Sequence, residues 1–159
     1  MSLKSALAAK GINLPIPPSA GGAYDPVRVQ GGIAYVAIQF PVLDGQWLHR
    51  GRLGLEVTTE EGYQAARICA LNVLAQLDRT PGLDALAGLN HIQAYMLVVD
   101  GWTDFPRVLD GASELLVAAL GEVGRHSRSL SGVAHLPGNA PIALTVTATL
   151  ASITGGRAV

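Results

Sequence analysis

RHSRSLSGVAHLPGNAPIALTVTATL, running from Arg125 to Leu150, is the stretch that decides how this chain folds. Its first half carries an apolar strand pattern over about 127–136 and its second half a longer one over 141–154, with Pro137, Gly138 and Asn139 as the turn between them. In the second run Leu144, Val146, Ala148 and Leu150 alternate with Thr145, Thr147 and Thr149, which predicts one apolar face and one hydroxylated face. Arg128 opens the first run, ahead of Leu130, Gly132 and Ala134 on the same strand face. A guanidinium stays charged and offers a planar fork of donors that matches the two oxygens of a carboxylate. Small residues beside it would let a ligand approach. The segment therefore predicts a receptor for a small carboxylate at the mouth of a sheet.

Working outward, the preceding residues supply the rest of a sheet and two helices. Residues 1–12 read as a short amphipathic helix with Leu3, Leu7 and Ala8 on one side, which the proline-rich LPIPPSAGGAYDP cannot continue. Val27 to Gln30 and Ile33 to Gln39 flank Gly31-Gly32 as a hairpin, and a loop with Asp44-Gly45 follows. Thr58 and Glu61 fit a capping box, in which each side chain covers a free amide at the helix start. Tyr63, Ala66, Ala70, Val73, Leu74 and Leu77 recur at helical spacing behind it, up to Pro81-Gly82. HIQAYMLVVD, residues 90–99, is nearly continuous in apolar side chains, as a doubly covered strand would be. Thr103 or Asp104 caps a second helix with Pro106 in its first turn and Val108, Ala112, Leu115, Leu116, Ala119 and Leu120 inward.

The order β-β-α-β-α-β-β predicts an α+β domain over residues 1–159, a mixed sheet with two helices on one face. The other face still carries Ala, Val and Thr rather than Lys and Glu, so self-association through it is the simplest expectation. Composition points the same way. Of 159 residues 49% are apolar but only 14% charged, less surface charge than a monomer of this size usually shows. A net charge of −1 argues against nucleic acid, which calls for a clustered basic face. No apolar run is long enough to cross a bilayer, and MSLKSALAAKGI is too short and too weakly apolar for a signal peptide, so a reducing, cytoplasmic setting is expected. Cys69 is the one cysteine and sits in a helical pattern as a buried thiol.

Most candidate chemistry reads as ordinary structure. His49, His91, His126 and His135 lack metal-site spacing, and the expectation is neither a metal nor any other cofactor. The glycine pairs Gly21-Gly22 and Gly31-Gly32 open no helix and so serve turns rather than phosphates. Ser127, Ser129 and Ser131 show no base partner in the sequence and read as strand residues, while Asp110 and Glu114 read as a solvated pair.

Three segments together resemble the Rid/YjgF family, also labelled the L-PSP endoribonuclease family, in its longer branch: LPIPPSAGGAYDPVRVQGGIAYVAIQFPV, GRLGLEVTTEEGYQAARICALNVLAQL and FPRVLDGASELLVAALGEVGRHSRSLSGVAHLPGNAPI. The resemblance implies a chorismate mutase-like fold that assembles as a trimer, with the sheets forming a central barrel and sites between subunits. It implies hydrolysis of reactive enamines and imines, such as 2-aminoacrylate, to 2-keto acids and ammonia. By the same likeness Arg128 binds the substrate carboxylate and Tyr24 lines the pocket. The chain departs from the pattern at Ala143, where a water-positioning glutamate is usual, at Ala37-Ile38 in place of Ser-Gly, and at Leu130 in place of a frequent cysteine. Ala143 cannot accept a hydrogen bond from water, and Ile38 adds bulk where glycine would allow close approach, so a more apolar pocket is expected. The alternative expectation is a non-catalytic trimer that binds a small acid or a protein partner. Ribonuclease action or inhibition of translation, which follows only from the family label, finds no support in charge or aromatic content.

Overall fold

Alternation and turn chemistry account for most of the sheet in the computed structural model, which describes residues 1–152. Strands β1 (Val27–Gln30) and β2 (Ile33–Gln39) form the expected hairpin, and Gly31 and Gly32 turn at φ 57° and 76°, a conformation that side chains with a Cβ resist. The Asp44-Gly45 loop proves to be the turn of a second, tiny hairpin between β3 (Val42–Leu43) and β4 (Gln46–Trp47). Both turn residues have positive φ, 50° and 78°, as a two-residue hairpin turn of that twist requires. Strand β5 (Leu86–Leu97) starts earlier than the apolar run suggested, and β6 (Ser127–Val133) is shorter than expected. Strand β7 (Ile142–Leu150) ends before position 154, and residues 153–154 of the expected strand lie outside the described residues.

The sheet order is β1-β2-β7-β5-β6. The last strand slots between β2 and β5, antiparallel to both, while β5 and β6 run parallel. Parallel neighbours need a crossover, and helix α3 (Phe105–Leu120) provides it. Helix α2 (Thr59–Arg79) packs beside α3 on the same face, and the short α1 (Leu3–Ala9) seats the fully buried Leu7. Thr58 and Glu61 form the capping box: Thr58 Oγ1 accepts from the Glu61 amide at 3.1 Å, and Glu61 accepts from the Thr58 amide at 2.8 Å. The hydrogen bond from the Thr58 amide holds the Glu61 carboxyl below its ordinary pKa.

One layer of core lies between sheet and helices. Ala34 and Val36 from β2, Ile142, Leu144, Val146 and Ala148 from β7, and Ile92, Ala94 and Met96 from β5 face the helices. Cys69 is buried among them, and burial pushes its thiol well above the usual range, so it behaves as a small apolar side chain. The helices approach so closely that a Cβ on Gly111 would lie 2.1 Å from the Tyr63 carbonyl oxygen.

The opposite sheet face has no helix. Tyr35, Tyr95, Thr145, Thr147 and Thr149 lie on it, with His91, Gln93, Ser127, Ser129 and Ser131 toward the β6 edge. None of the five strands contains a Lys, Asp or Glu, and their only arginines are Arg28 and Arg128. Among the described residues no helix is long and apolar enough to cross a membrane.

Candidate functional site

A cavity of about 490 Å³ opens beside the β2 end of the sheet, lined by Tyr24, Ile38, Gln39, Phe40, Trp47, Gln76 and Pro137 among others. Ile38 enters it because of a bulge. Val36 pairs with Val146 but Gln39 with Leu144, so β2 carries one extra residue and the Ala37-Ile38 pair is re-aimed. The Tyr24 hydroxyl accepts from the Gly21 amide at 3.0 Å, which fixes the ring and leaves the phenolic hydrogen free to donate. Trp47 forms the outer wall, with Phe40 at 5.4 Å between ring centroids and the Arg50 guanidinium 5.4 Å from its ring. The lining contains no charged side chain. Of this lining, the sequence singles out Tyr24 and Ile38 but not Phe40, Trp47 or Gln76. The Asp-Gly turn between Val42-Leu43 and Gln46-Trp47 was the signal that could have placed Trp47.

Arg128 does not belong to this cavity. It sits on β6, three strands from β2, or about 14 Å across the sheet at the usual strand spacing. Its side chain lies against α3, where Nη1 donates to Asp110 Oδ1 at 2.9 Å and to Ser113 Oγ at 3.1 Å, and Nη2 donates to the Pro106 carbonyl at 3.4 Å. Of five guanidinium hydrogens, the one on Nε and one on Nη2 have no partner among the described residues. A shallow depression of about 350 Å³ beside it is lined by Ser113, Val117, Arg125 and His126.

Several expectations need correction. Asp110 and Glu114 are not a solvated pair: Asp110 holds Arg128, and Glu114 accepts from the Tyr63 hydroxyl at 2.5 Å, which raises the Tyr63 pKa. The small-residue floor near Arg128 is already occupied within the chain, since a Cβ on Gly132 would meet Val98 at 3.1 Å and Phe105 at 3.2 Å. Leu130 packs on the core, and Ala143, opposite Tyr95, has no exposed surface within the subunit. Two of the three β6 serines, Ser127 and Ser129, do have a base beside them. Because β5 and β6 are parallel with His91 opposite Ser127, His91 Nδ1 lies 2.7 Å from Ser127 Oγ and Nε2 lies 2.8 Å from Ser129 Oγ. Ser129 is also bonded to Gln93.

Five of the six predicted residues thus fall in two clusters at opposite sides of one sheet, and Ala143 lies between them on β7. Tyr24, Ala37 and Ile38 lie around the bulge of β2, and Arg128 and Leu130 lie on the edge strand β6.

Residues 4–150 match the family model described as "YjgF/chorismate mutase-like, putative endoribonuclease". Protein TCP17 of Trypanosoma cruzi is 34% identical over 134 residues, which cover 83% of this chain and 84% of that protein. A crystal structure from Shewanella oneidensis MR-1, given the same endoribonuclease description, has 35% identity and a TM-score of 0.90, covering 94% of this chain and all of its own. Atu1372 of Agrobacterium tumefaciens, whose function is unknown, has 28% identity and a TM-score of 0.85 over 94% of this chain and 92% of its own.

Proposed function

From the premise that the chain belongs to the YjgF/chorismate mutase-like family, we propose that it is a Rid-type hydrolase in one domain. It binds a small carboxylate-bearing imine or enamine and releases the 2-keto acid and ammonia. The observation that carries the reading is the state of Arg128. Asp110 and Ser113 hold Nη1, while Nε and Nη2 keep two hydrogens for the two oxygens of a carboxylate. No other cofactor or metal enters this chemistry.

The two residue clusters meet only if copies associate. The β6 edge of one subunit then faces the β2 bulge of the next, as in an intersubunit site of a homotrimer. The strands' lack of Lys, Asp and Glu supports such burial of the open face. In the assembled site Arg128 neutralises the carboxylate next to the reacting carbon. An enamine takes a proton at its terminal carbon to become an iminium ion. Water then adds to the C=N carbon, its proton passes to the nitrogen, and the C–N bond breaks as the C=O bond forms, releasing ammonia and returning the proton first taken up. With Ala143 at the usual glutamate position, a backbone carbonyl orients the water. Ile38, Phe40 and Trp47 give the rest of the substrate an apolar wall.

Ala143 also favours a second reading, a trimer that binds the 2-keto acid or a protein partner without turnover. The ribonuclease reading stays last, because the strands offer only two arginines and no basic face. Ammonia release from freshly generated 2-aminoacrylate separates the first two. Acceleration by the wild type, abolished in Arg128→Ala, is the result expected. No acceleration, together with pyruvate binding, would leave the non-catalytic reading. The absence of both acceleration and pyruvate binding would remove Arg128 as an anchor. A cytoplasmic setting, where such reactive intermediates form, fits either reading.

A further inference from the structure

Resting on the reading of Arg128 as the carboxylate anchor, we propose that Ser113 and His126 form a positioning relay that fixes how Arg128 presents its free donors. The hydrogen positions follow from what each partner can do. The Gly124 carbonyl can only accept, so His126 Nδ1, 2.7 Å away, carries a hydrogen. Arg128 Nη1 can only donate, so Ser113 Oγ, 3.1 Å away, accepts from it. The hydroxyl hydrogen of Ser113 is then free for His126 Nε2 at 2.9 Å, which in the neutral ring is an acceptor. One directional chain results, from Arg128 through Ser113 and His126 to the backbone.

Its far end is tightly packed. Gly124 lies so close to the end of α3 that a Cβ there would be 2.2 Å from the Leu116 carbonyl oxygen. Asp110 takes the second Nη1 hydrogen at 2.9 Å, so Nη1 is fully committed to two side chains three residues apart on α3. With Nη2 also held by the Pro106 carbonyl at 3.4 Å, the guanidinium is tied to α3 at three points, and Nε has no partner among the described residues. Other charges near the relay are few: Arg125 precedes His126 and pairs with Glu122 at 3.9 Å. A second proton on His126 would reverse the Ser113 bond and set a cation beside Arg128, so the chain runs in this direction only with a neutral ring. His126 acts through Arg128 and is a positioning residue.

Two readouts on the full-length protein test the relay. Nitrogen-15 correlation spectra of the histidine side chains at pH 8 should show His126 as the Nδ1–H tautomer. In calorimetric titration with pyruvate, His126→Gln, whose Oε1 can stand where Nε2 stood, should bind within about twofold of wild type. His126→Asn, whose amide reaches only Gly124, and Ser113→Ala should each bind about fivefold more weakly, the worth of one hydrogen bond. An Nε2–H tautomer, or equal affinities for the Gln and Asn variants, would overturn the relay. If the wild type takes up no pyruvate, the carboxylate reading of Arg128 fails and the relay's role with it, while the tautomer still decides whether the chain of bonds exists.

Discussion

Gly111→Ala should damage both the fold and the site, because the added methyl has nowhere to go. A Cβ at Gly111 would lie 2.1 Å from the Tyr63 carbonyl oxygen, 2.9 Å from its carbon and 3.2 Å from its Cα. All three are backbone atoms of α2, so no side chain can swing aside. Restoring an ordinary nonbonded contact requires α2 and α3 to part by about 1.4 Å, given usual heavy-atom separations of roughly 3.5 Å. Overpacking of this kind costs about 1–3 kcal/mol, and the rigid partner places it at the upper end. Alanine's better helix propensity returns about 1 kcal/mol, which leaves a net loss of about 2 kcal/mol. In a chain of this size that lowers the melting temperature by about 4–8 °C, measured at matched protein concentration. Asp110 and Ser113 flank the displaced segment and hold Arg128, so pyruvate affinity should fall with stability. A variant as stable as wild type within about 0.5 kcal/mol would refute the backbone contact between the helices.

Gly138→Ala should disturb the cavity wall from outside, since Gly138 has φ +65° and a Cβ there would lie 2.6 Å from the Trp47 ring. The expected signs are a shifted Trp fluorescence and a loss of about 1–3 kcal/mol; an unchanged spectrum would show that Trp47 is not clamped there. Acid should act partly through Glu56, whose pKa is lowered to about 2, first by its side-chain hydrogen bond to Arg52. Its folded value lies below its unfolded one, so its contribution is present above about pH 4.5 and fades as pH falls toward 2. Glu56→Gln should flatten that part of an acid denaturation profile and leave stability near pH 7 only slightly reduced, because the pair is exposed. A profile identical to wild type below pH 4.5 would contradict the pairing.

What the sequence made legible was local. Gly31-Gly32, the Thr58–Glu61 box and the alternation in β7 each declare themselves within a few residues, because turn strain, helix-end amides and the two-residue strand period act at short range. The β3–β4 hairpin was missed because two-residue strands carry no periodic signal. The bonds of His91 to Ser127 and Ser129, and of Asp110 to Arg128, depend on the parallel register of β5 with β6 and on where α3 lies over it. Neither is written in local spacing. Gly132 shows the same limit from the other side: its missing side chain marked a space that Phe105 fills from within the chain. The sequence marks Arg128 and Ile38 as candidates for one site, yet their separation by three strands is visible only in the sheet order.

A crystal of the full-length protein soaked with pyruvate tests the central claim most directly. The carboxylate is expected on the free Nε and Nη2 hydrogens of Arg128, with Ile38 and Tyr24 of a neighbouring subunit around the rest of the molecule. Pyruvate bound away from Arg128, or an Arg128 with no second subunit facing it, would contradict the shared carboxylate site.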